Sequence, residues 1–329
     1  MESSASRLAA VLLGTAVGDA AGLPWEGMGA VSVRRRIERG ITFPLGGRVS
    51  DDTEQSVLVV RAWAQARGDV AAFEAALGRS LRWWLVCLPP GVGFGTLRAL
   101  AKRWLGGRVG VASEGNGAAM RAAALGVLVP EGELAAWVLA SSRITHTSAA
   151  AIEGALVVAR AAACGARHGP QRGDHLGPIL AAAPDPRLRA NLELAVAHAR
   201  TGARADALAA AMGAPGFVTG WVSHTVPMAV HLWLVHADVA GAVTAAIGQG
   251  GDTDSVAAIT GALVGATTGE VPWVDQLRDR PLSGPWIGRF AEQVLGGAVP
   301  PSFLVPLWLA RNLWTLAVIV VHLATRRLP

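Results

Sequence analysis

Apolar residues recur every three to four positions along most of this 329-residue chain. This spacing places them on one face of an α-helix, so each such stretch predicts a helix with one buried face. No stretch alternates apolar and polar residues over the length of a strand, and turns rich in glycine and proline separate the stretches. The pattern predicts an all-α protein of about ten or more helices, the clearest at 5–17, 54–66, 70–85, 116–128, 133–141, 149–163, 186–198, 205–212, 226–236 and 256–267.

Helical patterning of one type continues on both sides of the most polar turn, residues 163–177. No period of twenty to fifty residues recurs, so the pattern does not favour a solenoid. We expect a compact orthogonal multi-helix bundle over residues 1–300, followed by an apolar helical tail over residues 301–329.

Both ends of the chain are apolar. Residues 8–17 imitate the core of a signal peptide, yet Glu2 precedes them and Asp19 interrupts the expected cleavage region. We expect a first core helix there. Residues 303–324 are interrupted by polar side chains, and their uninterrupted run at 313–321 is shorter than the ~20 residues that span a bilayer. We expect the tail to pack on the core or to make weak contact with a membrane surface.

Composition agrees with closely packed helices, since 52% of residues are hydrophobic, 16% are charged and 40 are glycine. The net charge of +5 comes almost wholly from arginine, because Lys102 is the only lysine. We interpret the arginines at 34–39 as a solvated helix face and expect no stable complex with nucleic acid, although a basic cleft for a pyrophosphate agrees with the same charge. Cys87 and Cys164 lack the spacing of a disulfide framework or a zinc site, which favours a cytoplasmic protein.

Two clusters of carboxylates stand out, SDDT at 50–53 and GGDTDS at 250–255, and each opens a predicted helix. Helix capping explains single acids at such positions. Adjacent carboxylates repel one another unless a cation neutralises them. Hard oxygen donors without histidine or cysteine suit Mg²⁺, Mn²⁺ or Ca²⁺ rather than zinc, and this many carboxylates favour two ions. The alternative is a pair of separate helix caps.

Five segments in order resemble the motifs of the ADP-ribosylglycohydrolase family. They are GTAVGDAAG at 14–22 with Glu26, SDDT at 50–53, GNGAAMR at 115–121, Thr145-His146, and GGDTDS at 250–255. The resemblance covers about residues 5 to 270. It implies an all-α fold with a dinuclear cleft that holds two divalent cations, Mg²⁺ or Mn²⁺.

The resemblance also implies roles for individual residues. Glu26 would transfer protons, and Asp51, Asp52 and Asp254 would share in catalysis. His146 would lie near the substrate, although a packed core histidine is the alternative. The metal ligands would be Ser50, Asp51, Asp52, Asp252, Asp254 and Ser255, and the substrate loops would contribute Gly91, Gly93, Gly115, Asn116, Gly117, Met120 and His146.

The chain departs from the family pattern at three places. Ser50 replaces a more usual threonine, which keeps the hydroxyl. Residues 147–149 lack the acidic residue or second histidine that some relatives have there. Residues 91–96 lack the acidic residue that transfers protons in some bacterial members of the family. The last departure places more weight on Glu26.

The resemblance implies a metal-dependent hydrolase that cleaves the N- or O-glycosidic bond between ADP-ribose and a modified protein, nucleic acid or small molecule. Two alternatives stay open. One is a catalytically silent ADP-ribose sensor of the same fold, and the other is a dinuclear phosphoesterase.

Overall fold

The computed structural model describes residues 4–302 and 304–326, so residues 303 and 327–329 of the predicted tail lie outside the described residues. The described residues form sixteen α-helices and four short 3₁₀ helices, with isolated backbone bridges in place of strands. The all-α prediction is confirmed. The helices are α1 Ser4–Gly22, α2 Ala30–Ile37, α3 Asp51–Ala66, α4 Val70–Val86, α5 Phe94–Trp104, α6 Ala123–Leu128, α7 Glu131–Ser142, α8 Ala149–His168, α9 Gly177–Ala181, α10 Pro186–Arg200, α11 Ala205–Ala211, α12 Val222–Val235, α13 Val239–Ile247, α14 Thr253–Thr268, α15 Gly284–Leu295 and α16 Val305–Thr325.

The centre of the fold is a close antiparallel pair of helices, α1 and α14. A Cβ atom on Gly14 would lie 2.2 Å from the carbonyl oxygen of Gly261, and one on Gly22 would lie 2.4 Å from that of Thr253. Gly18 belongs to the same row of contacts. Glycine at every fourth position of α1 therefore lets two helix backbones touch, and a side chain there would push them apart. This contact sets the C-terminal end of α1 beside the N-terminal end of α14.

Some helices differ from the sequence-based prediction. The segment predicted as one helix at 116–128 is a 3₁₀ helix, Asn116–Ala118, followed by turns and α6. The pattern-based prediction also missed α2, α5, α9, α13 and α15.

Three helical segments are long and apolar enough to cross a membrane, by length and composition alone. Two of these belong to the core, because 89% of the Ser6–Trp25 window and 67% of the Ala149–Asp174 window are buried. The third is α16, of which only 17% is buried. The first apolar segment is therefore a core helix, as predicted, and α16 lies on the surface of the bundle.

Candidate active site

Three helix ends meet at one point of the bundle: the C-terminal end of α1 and the N-terminal ends of α3 and α14. The Thr253 hydroxyl of α14 donates to the carbonyl oxygen of Gly22 in α1 over 2.8 Å. The Ser255 hydroxyl of α14 donates to Asp52 of α3 over 3.3 Å. The two carboxylate clusters, about two hundred residues apart in the sequence, are thus brought together.

Asp19, on α1, holds the first turn of α3 in place. Its buried carboxylate accepts hydrogen bonds from the backbone N–H groups of Ser50 and Thr53, at 3.0 and 3.1 Å. It also accepts from the Ser50 and Thr53 hydroxyls, at 2.8 and 2.6 Å. A residue from another helix therefore caps α3, whereas Ser50 occupies the N-cap position without capping. Asp252 likewise makes no side-chain cap at α14, so helix capping does not account for these side chains.

The carboxylates of the two clusters are close enough to repel one another. Asp51, Asp52 and Asp254 are buried, and burial raises the pKa of each well above the usual 3.8. Neighbouring negative charges raise these pKa values further. Three buried acids in one place favour either bound protons or bound cations.

Glu26 follows the short 3₁₀ helix after α1 and faces the same region. Its side chain is exposed to the concave space above the clusters. The cavity walls take away part of the water around the Glu26 carboxyl group, which raises its pKa from 4.5 to about 7, and the charges of Asp252 and Asp19 add to the rise. A carboxyl group with this pKa suits proton transfer near neutral pH.

The carboxylate oxygens are only partly satisfied by hydrogen bonds. Asn116 donates to Asp252 over 2.6 Å, and Gln55 donates to Asp51 over 3.0 Å. Asp52 Oδ1 is buried without a hydrogen-bond partner in the described part of the chain. Among the described residues, no three Asp, Glu, His or Cys side chains are arranged as a ready-made ligand set for one ion.

Arg121 connects the clusters to the substrate loops, a role that the sequence analysis missed. This fully buried guanidinium donates to Gln55 over 2.7 Å and to the carbonyl oxygen of Gly117 over 2.6 Å. It also donates to the Thr145 hydroxyl over 2.7 Å, which lies 2.9 Å from His146 Nδ1. Burial and the charge of Arg121 lower the pKa of His146 from 6.5 to about 3, so this imidazole is neutral at physiological pH.

One cavity of about 600 Å³ lies above the clusters. All seven residues predicted for the substrate loops line it, and so do five of the seven predicted metal and proton-transfer residues. Ser50 and Asp52 are fully buried beneath its floor, and Asp51 lies between them and the cavity. The predicted residues that line the cavity are Gly91, Gly93, Gly115, Asn116, Gly117, Met120, His146, Glu26, Asp51, Asp252, Asp254 and Ser255.

Glycines let the loop backbones approach the polar groups of the site. Gly91 has φ +82°, and a Cβ atom there would lie 2.9 Å from Asp51 Oδ1. A Cβ atom on Gly117 would lie 2.8 Å from His146 Cε1. Side chains at these positions would therefore fill the cavity floor or displace a site residue.

Aromatic side chains surround the cavity mouth, and the sequence analysis did not assign them a role. Phe94, Phe217 and Trp221 line the cavity and are 73%, 44% and 50% exposed. Arg98 lies over the Phe94 ring and Arg187 over the Trp221 ring, at 5.4 and 5.3 Å. The sequence carried no signal for this cluster, because its members come from separate loops that only the fold brings together.

Comparisons with known proteins agree with this geometry. A model of the ADP-ribosylglycohydrolase family matches residues 1–302. An uncharacterized protein of Archaeoglobus fulgidus is 31% identical over 288 residues, which cover 82% of this chain and 90% of that protein. The ADP-ribosyl-[dinitrogen reductase] glycohydrolase of Rhodospirillum rubrum is 29% identical over 291 residues, with the same coverage.

A solved structure, described as an ADP-ribosylglycohydrolase-related protein complex, has the same fold. Its TM-score is 0.67 at 24% identity, and the match covers 91% of this chain and 100% of that one. The resemblance predicted from five short motifs is therefore confirmed, and α16 lies beyond the family match. The chain belongs to the ADP-ribosylglycohydrolase family and is a hydrolase of the glycosylase type.

Proposed function

We propose that this protein is a metal-dependent hydrolase that cleaves the N- or O-glycosidic bond between ADP-ribose and a modified target. The observation that carries the proposal is the arrangement of one cavity, with repelling carboxylates on its floor and glycine-rich loops on its wall. The negative charge of the cavity floor suits the binding of cations, and the backbone N–H groups of the glycine-rich loops suit hydrogen bonds to phosphate oxygens.

Two divalent cations, Mg²⁺ or Mn²⁺, would be held by the two clusters. The unpartnered Asp52 Oδ1 and the repulsion among the buried carboxylates support this fit, since cations would satisfy the first and relieve the second. The donors would be Ser50, Asp51, Asp52, Asp252, Asp254 and Ser255. When bound, such ions supply Lewis acidity and a nucleophilic water at neutral pH.

The protein's own groups then act on the anomeric carbon of the ribose. Positive charge builds on the sugar ring as the glycosidic bond breaks. Asp51 and Asp254, at the cavity surface, would stabilise that charge. Glu26, whose pKa is raised chiefly by the partial removal of water around it, would hold or move the proton that the leaving group or the water requires.

The cavity wall supplies features that fit the rest of ADP-ribose. Gly93 is the N-cap of α5 and has no side chain to occupy the N–H groups of the first turn, which therefore suit a diphosphate. The exposed rings of Phe94, Phe217 and Trp221 offer faces on which an adenine can stack. The neutral His146 offers a hydrogen bond without adding positive charge.

The target of the modification would be a protein, a nucleic acid or a small molecule, joined through, for example, an arginine nitrogen or a serine oxygen. The test is release of free ADP-ribose from ADP-ribosyl-arginine, ADP-ribosyl-serine and ADP-ribosylated nucleic acid, with Mg²⁺ and with EDTA. We expect release from at least one substrate, with Mg²⁺ only. Binding of ADP-ribose without turnover on any of them, or faster release of phosphate from a generic phosphoester, would contradict the proposal.

The buried carboxylates predict that metal stabilises the protein more at higher pH. In EDTA, the raised pKa values mean that folding binds protons, so stability falls as pH rises above about 4, and Glu26 contributes until about 7. Mg²⁺ replaces those protons, so its shift of the melting temperature should grow between about pH 5 and about pH 8. Differential scanning fluorimetry measures both effects. A metal-induced shift that is constant over this range would contradict the assignment.

A further inference from the structure

The polarity of α16 is inverted relative to a normal surface helix. Leu307, Trp314 and Val321, spaced seven residues apart, are 64%, 60% and 62% exposed. Exposed alanines at 310, 317 and 324 lie on the same face of the helix. This outward face therefore carries no charged side chain from 307 to 324. Arg311, Asn312 and Thr315 are buried against the domain instead. A long apolar face directed away from a protein predicts a partner that covers it.

The inner face of α16 is attached to the domain along its length. Arg311 pairs with Glu54 and Asp279, and Asn312 donates to the carbonyl oxygen of Cys87 over 3.0 Å. Near the other end, His322 lies 3.1 Å from the carbonyl oxygen of Pro24. A transmembrane orientation would break these contacts and carry Arg311 and His322 into hydrocarbon, which is costly. The apolar face is therefore available only in an orientation parallel to a surface.

Positive charge flanks the C-terminal end of the apolar face. Arg36 of α2 donates to the carbonyl oxygen of Arg326 over 2.8 Å, which sets α2 beside the end of α16. Arg35 and Arg39 are exposed next to Arg36, and Glu38 is the single acid in this stretch. Arg48 lies 5.9 Å from the centre of the Trp314 ring. Basic residues beside an apolar helix face with a tryptophan are the features of a helix that lies on anionic lipid.

We propose that α16 docks the protein on an anionic phospholipid surface, with its apolar face in the headgroup boundary and the arginines at the end of α2, Arg35 and the following Arg39, on the lipid phosphates. The charge on the flank is what favours lipid over a second copy of this chain, because anionic lipid offers a layer of phosphates to these arginines, whereas the matching stretch of a second copy offers one acid, Glu38. The inference is independent of the proposed reaction.

The test is co-sedimentation of the full chain with vesicles of phosphatidylcholine alone and of phosphatidylcholine with phosphatidylglycerol as the minor component. We expect binding to the anionic vesicles. The variant Trp314→Gln/Val321→Gln should bind at least about tenfold more weakly, since each side chain loses its burial in lipid. Arg35→Gln/Arg39→Gln, which keeps the contact of Arg36 with Arg326, should lose roughly fivefold in binding for each arginine and most of the preference for the anionic vesicles.

Leu139→Gln, on α7, is the matched control, because that leucine is 42% exposed and lies outside α16. It should bind like the wild type. Circular dichroism and ADP-ribose release should be unchanged in the Trp314→Gln/Val321→Gln variant, which separates lipid binding from folding. The proposal is overturned if the wild type does not sediment with anionic vesicles, or if that variant sediments equally well. A wild-type dimer that the same variant dissociates, without vesicle binding, would overturn it in favour of a second copy.

Discussion

Asp254→Asn is expected to lower the rate of ADP-ribose release at saturating Mg²⁺ by at least about a thousandfold, since metal-assisted charge stabilisation is worth several kcal/mol. The carboxylate is buried at the first turn of α14 and lines the cavity, so the amide would fill the same space without the charge. Release of ADP-ribose under single-turnover conditions measures the loss.

The same variant should keep or gain stability in EDTA. Asn is close in shape to a protonated Asp, and the substitution removes one charge from a repelling group. The melting temperature in EDTA should therefore not fall, while the increment produced by Mg²⁺ should shrink. Glu292→Gln on the exposed part of α15 serves as the control and should change neither quantity. Full turnover by Asp254→Asn at low Mg²⁺ would rule out the dinuclear site.

Arg311→Met is expected to lower the free energy of unfolding by about 3–5 kcal/mol, because it leaves Glu54 as a buried charge without a cation and Asp279 with Arg48 as its remaining cation. Arg311 also donates to the carbonyl oxygen of Val49 over 2.8 Å. Val49 precedes the first carboxylate cluster, so the variant should weaken Mg²⁺ binding as well. Urea unfolding followed by circular dichroism measures the first effect, and isothermal titration with Mg²⁺ measures the second.

A second substitution identifies the cause of this loss. Burial already raises the pKa of Glu54 from 4.5 to about 7 despite the opposing charge of Arg311. Without Arg311, folding would favour the protonated carboxyl group still more, so the loss of stability should grow as pH rises above about 4.5. Arg311→Met/Glu54→Gln should therefore recover part of the loss at neutral pH. Arg189→Met breaks an exposed pair with Glu193 and should cost less than about 1 kcal/mol.

The sequence predicted the fold class and the ligand clusters because both rest on local patterns. Helical periodicity is visible within a window of residues, and a run such as SDDT is visible by itself. Asp19 was quoted within a motif but not given a role, although a buried acid inside an apolar helix already signals a partner elsewhere. Its partners, Ser50 and Thr53, lie at the start of α3, and only the fold brings them to it.

For the tail, the sequence pattern predicted a helix but not the direction in which its polar residues point. Arg311, Asn312 and His322 interrupt the apolar run of α16 in the sequence, which argued against a membrane-spanning segment but did not show which face of the helix they occupy. In the structure they lie on its inner face, where they bind groups of the domain. Periodicity indicates that a helix has two faces, but it does not indicate which one faces the protein. The contacts of Arg121 could likewise not be predicted from the sequence, because they join three segments that are separate along the chain.

The pairing of α1 with α14 also determines when, during synthesis of the chain, the site can form. The Thr253 hydroxyl and its acceptor, the carbonyl oxygen of Gly22, are 231 positions apart in the sequence. An emerging α1 therefore has no partner for its glycine row until α14 has left the ribosome, and at ~5–20 residues per second this delay lasts on the order of ten seconds or more. During that interval a helix whose final state is almost entirely buried is open to wrong contacts, which makes it a natural binding segment for a chaperone.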